Sequence, residues 1–408
     1  MLLELSLVMV KVMQTPSMGR REFLASGATL LSAPALAQRL PQRVVVVMCD
    51  GFGVEYLEQS HMPILEKWRE RGLFRRVKDT MPSVTNANNA SICCGVLPDQ
   101  HGITGNSYFD ERSGREEYME TANLLLSPTL FQRAKKQGVK SALLSSKKKT
   151  TTLLPSGADL ILSAEIPTQD WVKRLGPAPD IYSREINYWL MTAAIDLLKN
   201  RRDLGCLYIH TTDYPMHTWP PEAKESKDHL ARLDRLFGEA AAAAPDAAFL
   251  LTADHGMNYK THCWDLEKAC ARRGTPIRIA ISVERDRYPK HHRGHGGVAW
   301  VYCNRPNDVD KVSETLSGLK GVEAILTRSE ASKRYRLMAS RIGDLVVLGD
   351  RDTAFGQLEG ESEPLPPEYR THGSLYEMDV PLIVHNAQAR LSAQDFQYNW
   401  HLTRWLYR

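Results

Sequence analysis

Arg43-Val44-Val45-Val46-Val47-Met48 is an apolar run with no polar residue between its first valine and its methionine, and it stops two residues short of Asp50. A strand with one wet face alternates apolar and polar residues. A run apolar on both faces reads as a strand buried on both sides of a parallel sheet. Parallel neighbours require long crossover connections, usually helices. Further short apolar runs lie at 140–144, 158–162, 206–209, 247–251 and 380–384, with helical stretches at 127–136, 188–199 and 229–244 between them. This alternation predicts a doubly wound α/β sheet covered by helices.

Ligands of such sheets bind at the carboxyl edge, where strands give way to loops. Asp50 follows the first run, Asp213 follows 206–209, and Asp254-His255 follows 247–251. With His217 and His372 these make a set of carboxylates and imidazoles, the donors zinc takes when a catalytic site keeps one position open. A single Asp or His is more often a surface charge, a cap or a satisfied core histidine. Six of them gathered at strand ends are enough for two metals. Pro215 argues against a helix through Asp213-Tyr-Pro-Met-His217 and predicts a tight loop there.

The nucleophile is expected in Met81-Pro-Ser-Val-Thr85-Asn-Ala-Asn88-Asn89, ahead of a helix reaching Cys94 and ended by Gly95 and Pro98. Thr85 suits an N-cap, and a helix N-terminus also offers amide donors and a positive dipole end to a phosphate. A threonine hydroxyl attacks at neutral pH only when a metal lowers its pKa. Lys147-Lys148-Lys149 follows the run at 140–144; most such runs are solvated turns.

Residues 1–37 read as an export signal. Gly19-Arg20-Arg21-Glu22-Phe23-Leu24 has the twin-arginine pattern, an apolar run follows to Leu31, and Ala35-Leu36-Ala37 offers a cleavage site. Met18 makes a more usual start than Met1. These features place the mature chain in the periplasm or outside the cell through the twin-arginine machinery, and in the cytoplasm if the signal does not work. No further run of about 20 apolar residues supplies a membrane anchor. The net charge of +4 over 408 residues allows an anionic substrate but lacks the concentrated basic face of a nucleic-acid binder. Seven cysteines without a C-x-x-C pair indicate neither a thiolate metal site nor a disulfide framework, with Cys263 and Cys270 the pair open to oxidation. Residues 270–357 break the strand–helix rhythm and read as a smaller α+β cap inserted between core segments 38–269 and 358–408.

In order and spacing, Asp50-Gly51, Thr85 with Asn88, His101-Gly-Ile-Thr-Gly-Asn106, Asp213…His217, Thr252-Ala-Asp254-His255-Gly256 and His372-Gly373 resemble the nucleotide pyrophosphatase/phosphodiesterase branch of the alkaline-phosphatase superfamily. The resemblance implies an alkaline-phosphatase-like α/β/α sandwich and two zinc ions, although manganese or iron tolerates the same donors. It assigns Asp213, His217 and His372 to one metal, and Asp50, Asp254 and His255 to the other, with Thr85 as metal-bound nucleophile. Asn88 or Asn106 would stabilise the phosphoryl oxygens. Within the branch, Thr85-Asn-Ala-Asn-Asn89, Thr212-Asp-Tyr-Pro-Met-His217 and Lys290-His-His-Arg-Gly-His295 are similar to the phosphonoacetate hydrolases. That likeness gives Lys147 and Lys149 to the substrate carboxylate, with His292 and Arg293 as weaker substrate contacts. Nucleotide-cleaving members carry an aromatic residue directly after the nucleophile, where this chain has Asn86. The expected reaction is cleavage of a small anionic phosphonate, by a monomer or homodimer. The alternatives are a phosphodiesterase or phosphomonoesterase of the same branch and, remotely, a non-catalytic phosphonate-binding protein.

Overall fold

Val44–Met48 is the central strand of a seven-stranded sheet in the computed structural model, which describes residues 42–287, 290, 292–389 and 391–408. The export signal at 1–37 lies outside the described residues. Val44–Met48 pairs in parallel with Leu204–His210 on one side and Ala248–Thr252 on the other. Lys140–Ser145 and Leu160–Ser163 extend the first side, again in parallel. All five residues of the central strand are buried, as a strand covered on both faces requires.

Two features depart from a uniformly parallel sheet. Asp379–His385, expected as one more crossover strand, runs antiparallel to Ala248–Thr252. Beyond it Leu73–Lys78 forms the edge, antiparallel in turn to Asp379–His385. That edge strand gives no apolar run because Arg75, Arg76 and Lys78 occupy positions open to water. Charged side chains of this kind protect a sheet edge against further pairing.

Helices Glu185–Asn200 and Lys224–Ala243 cover the sheet and begin several residues before the periodic stretches expected for them. Leu130–Lys136 starts at a capping box made by Thr129 and Gln132. Among the described residues 270–357, a four-stranded antiparallel sheet runs in the order Ile279–Ser282, Val298–Tyr302, Leu345–Gly349, Val322–Thr327. One face of it packs Ile281, Val283, Val298 and Trp300 against Val84 and Ala87 from the segment around Thr85. This added layer therefore shares a core with the helix that Thr85 begins, and the described residues belong to one compact unit. All seven cysteines are buried free thiols, so Cys263 and Cys270 are not joined.

Candidate active site

Thr85 is the first residue of helix Thr85–Cys94, and Val84 occupies the cap position without a side-chain hydrogen bond. The threonine hydroxyl therefore does not cap its helix. Its Oγ1 lies 3.5 Å from Asp50 Oδ1 and 3.3 Å from His255 Nε2. The helix ends at Gly95, whose φ of 68° is readily adopted by glycine.

All six expected metal-binding residues converge at this point, buried at the carboxyl edge of the sheet. Asp213 caps, and His217 lies within, a one-turn helix, Tyr214–Thr218, in place of the expected loop. Pro215 sits in its first turn, where a missing N–H costs nothing. His217 Nε2 is 3.2 Å and His372 Nε2 3.9 Å from Asp213 Oδ2. His255 Nε2 is 3.3 Å from Asp50 Oδ1 and 3.5 Å from Asp254 Oδ2, and its ring stacks on His372 at 3.5 Å. His255 thus stands between the two expected ligand sets. Donor atoms of Asp213, His255 and His372 lie within 4.8 Å of one another, as do those of Asp50, His210 and Asp254.

The residues present suit divalent cations. Nδ1 of His217, His255 and His372 each faces a backbone carbonyl, of Arg370, Gly256 and Ser83, at 3.0, 2.8 and 2.7 Å. Nδ1–H donation to a carbonyl leaves the Nε2 lone pair directed at the centre, the arrangement metal-bound imidazoles use. Asp254 Oδ2 and His372 Nε2 are buried and make no well-aligned hydrogen bond among the described residues, their polar neighbours being His255 Nε2 at 3.5 Å and Glu284 Oε2 at 3.3 Å. Bare buried acceptors are costly, and a cation satisfies both. The protonation directions are mixed: burial lowers the His255 pKa, but Asp254 and Asp50 outweigh it and raise it to about 10, so a cation would displace a proton there. Burial and nearby Asp213 raise the Asp50 pKa, but Lys147 and hydrogen bonds from His210 and His255 outweigh them and hold it well below the usual carboxylate range. Burial, then Asp50, pushes Asp254 far up, while His372 is driven well down by burial and by His255 and His217.

Lys147 Nζ bridges Asp50 Oδ2 at 2.6 Å and Asp213 Oδ1 at 2.7 Å. Lys149 pairs with Asp286. Both lysines are buried, beside a cavity that Thr212, Tyr182, Glu284 and His292 also line and that leaves about 10 Å³ for water. His292 Nδ1 accepts the Gly294 N–H at 2.9 Å, so its Nε2 carries the proton and faces Glu284 Oε1 at 3.9 Å. Arg293 pairs with Glu363 at 2.7 Å and lines another cavity, of about 200 Å³, which shares Asp286 with the one beside the lysines but is not lined by Lys147 or Lys149.

The two asparagines differ sharply. Asn88 Oδ1 accepts from Thr80 N, Thr80 Oγ1 and Asn399 Nδ2, while its Nδ2 donates to the carbonyls of Thr80, Pro82 and Val84. Its side chain is committed to holding the turn before Thr85, so the expected phosphoryl-stabilising role does not fit it. Asn106 Oδ1 accepts the Asn86 N–H at 3.3 Å, and its buried Nδ2 has no partner among the described residues. Asn86 donates to Met119 O at 3.0 Å.

Two residues escaped the sequence reading. His210 directly follows the apolar run 206–209 and touches Asp50. Glu284 is buried with Oε2 3.3 Å from His372 Nε2, and burial pushes its carboxyl up to about 8. Their only sequence signal was a polar residue at a strand end, too common a feature to single them out.

The same architecture recurs in proteins of known structure. Phosphonoacetate hydrolase from Sinorhizobium meliloti 1021 in complex with phosphonoacetate superposes with a TM-score of 0.81 at 28% identity, covering 90% of this chain and 95% of that one. Murine ectonucleotide pyrophosphatase/phosphodiesterase 5 in complex with AMP matches at a TM-score of 0.64 and 15% identity, over 84% of this chain and 88% of that one, a likeness of fold alone. By sequence, human bis(5'-adenosyl)-triphosphatase ENPP4 is 24% identical over 226 residues, 53% of this chain and 48% of that protein. The venom phosphodiesterase of Naja atra is 24% identical over 229 residues, 52% of this chain and 26% of that protein. The chain spans half or less of the length of these curated relatives. The family profile for type I phosphodiesterase / nucleotide pyrophosphatase matches residues 44–375, most of the chain. With that match and the site it encloses, this chain belongs to the type I phosphodiesterase / nucleotide pyrophosphatase family.

Proposed function

We propose that this protein is a metal-dependent hydrolase that attacks phosphorus through Thr85 and cleaves phosphonoacetate to acetate and phosphate. The observation that carries this reading is the Thr85 hydroxyl at a helix N-terminus, 3.5 Å from Asp50, whose other oxygen is held by the buried Lys147, and 3.3 Å from His255. Asp50, Asp254 and His255, with Thr85, would hold one cation, and Asp213, His217 and His372 the other, zinc being the metal such donors favour. When bound, the pair supplies Lewis-acid stabilisation of phosphoryl charge and eases deprotonation of a hydroxyl.

The chain's own groups account for the rest. Thr85 Oγ, its hydroxyl proton released to solvent, forms a bond to phosphorus as the P–C bond breaks, and the electron pair leaves on carbon as the acetate enolate. That carbon takes a proton from solvent, and water then cleaves the Oγ–P bond to free phosphate. Amide donors of the helix start and Asn106 Nδ2 face the phosphoryl oxygens as charge builds. Lys147 and Lys149 hold the carboxylate and steady the enolate.

One observation favours a second reading, an esterase of the same family. Asp286 already balances Lys149, which weakens the case for a carboxylate there. A periplasmic or secreted location through twin-arginine export is part of the proposal and rests on residues 1–37. No helix among the described residues is long and apolar enough to cross a membrane. The test compares phosphonoacetate, a nitrophenyl phosphodiester and a nitrophenyl monoester on the purified zinc-loaded protein and its Thr85→Ala variant. Wild type should prefer phosphonoacetate, and Thr85→Ala should lose turnover of every substrate while keeping its metal. Residual activity within about tenfold of wild type would assign the attack to water.

A further inference from the structure

We infer that His210 is a positioning residue of the metal centre, donating its Nε2–H to Asp50 Oδ2 so that Oδ1 is the oxygen turned toward Thr85. The inference rests on the reading of Asp50 as a metal ligand. His210 ends the strand Leu204–His210 in register with Met48, which brings its side chain out at the same sheet edge as Asp50. It is fully buried.

The surrounding hydroxyls determine its tautomer. Nδ1 faces Ser145 Oγ at 3.0 Å and Thr150 Oγ1 at 2.8 Å. Ser145 Oγ accepts the Lys147 backbone N–H at 3.0 Å and has its own proton available for Nδ1, while ionised Asp50 Oδ2, which can only accept, requires the imidazole proton on Nε2. An imidazole that accepts at Nδ1 carries its proton on Nε2. That nitrogen lies 3.0 Å from the acceptor Asp50 Oδ2, whereas Asn89 Nδ2 at 3.3 Å is itself a donor and takes no hydrogen bond from it. Lys147 Nζ meets the same oxygen at 2.6 Å. Oδ2 is therefore held from two sides, and Oδ1 is the atom 3.5 Å from Thr85 Oγ1 and 3.3 Å from His255 Nε2. The Ser145–Lys147 bond makes the two holds one unit, because the strand end that orients His210 also starts the segment carrying Lys147.

Partners that orient a metal ligand typically change metal affinity about 10- to 100-fold when removed. The experiment measures zinc and cobalt affinity by competition with a chromogenic chelator, for full-length wild type, His210→Leu, His210→Gln and Thr150→Val. The thermal midpoint of each chelator-treated protein reports folding. His210→Leu should weaken one of the two metals by about 10- to 100-fold. His210→Gln, whose amide N–H reaches the place of Nε2, should restore affinity to within about threefold. Thr150→Val keeps the imidazole but removes one donor to Nδ1, and should weaken binding measurably even if the leucine variant does not fold. Wild-type affinity in His210→Leu, or in Thr150→Val if the leucine variant is unfolded, would overturn the inference. A glutamine variant as weak as leucine, with a changed cobalt absorption spectrum, would overturn it by making His210 a ligand itself. A wild-type protein that binds no metal would instead overturn the reading of Asp50 beneath it.

Discussion

Replacing Lys149 with methionine separates the two ways its ammonium can act. Lys149 is 5% exposed and pairs with Asp286, which is 8% exposed. If the ammonium also grips a substrate carboxylate, it supplies a charge-assisted hydrogen bond worth about 1.5–3 kcal/mol. Its loss should cut kcat/KM for phosphonoacetate by roughly 10- to 150-fold, at about 1.4 kcal/mol per decade. A nitrophenyl diester has no carboxylate and a good leaving group, so its hydrolysis should change by less than about threefold. Removing one partner of a buried ion pair also costs about 3–5 kcal/mol of stability. With an unfolding entropy of about 0.8 kcal/mol/K for some 370 residues, the midpoint should fall by roughly 4–6 °C. Adding Asp286→Asn should return most of the lost stability and none of the phosphonoacetate activity. The assay is steady-state kinetics on both substrates beside thermal unfolding, for Lys149→Met, the double variant and the exposed control Lys148→Ala. If the double variant recovers phosphonoacetate turnover, or both substrates fall together in it, Lys149 only neutralises Asp286. The esterase reading then takes precedence.

Asn106→Ala should lower kcat about 100-fold with little change in midpoint, as loss of one oxyanion donor does, whereas Asn88→Ala should mainly lower the midpoint because six hydrogen bonds hold the turn before Thr85. Lys260 Nζ, fully buried, meets Glu377 Oε1 at 3.0 Å and Arg351 O at 2.9 Å, so Lys260→Met should cost about 3–5 kcal/mol in urea unfolding at pH 7. Burial raises the Glu377 pKa, but Lys260 and Ser374 bring it below the usual value. The pair's contribution is thus complete above the unfolded glutamate pKa and fades as pH falls through the lowered folded one, so the two proteins should converge in acid. Burial and Arg184 push His229 down to about 3, so the unfolded chain takes up that proton first and stability erodes as pH falls from about 6.5 toward 3. At pH 5 the loss is about 2 kcal/mol, and His229→Gln should show a correspondingly shallower decline in its urea midpoint between pH 7 and pH 5.

What could be read from residue order was whatever depends on near neighbours. Four consecutive valines can only be comfortable in a strand dry on both faces, and Asp50, Asp213 and Asp254 come just after such runs, so the sheet, its carboxyl edge and the candidate metal-binding residues were legible. The Thr85 segment was legible as the start of a helix for the same reason. Tertiary structure decided what depends on distance between segments far apart in the chain. Val84, not Thr85, holds the cap position, and the four-stranded antiparallel sheet packs on Val84 and Ala87. Asn88 and Asn106 were equivalent in sequence; the tight turn at Thr80–Val84 with distant Asn399 commits the first, while Asn106 Nδ2 has no partner among the described residues. Asp286 reaches Lys149 across 137 positions, and His210 reaches Asp50 across 160. Periodicity reports which face of a strand or helix is dry, because that follows from backbone geometry over a few residues. It carries no record of which polar groups meet once those faces are packed, and it is these meetings that set the charge and the hydrogen bonds of the site.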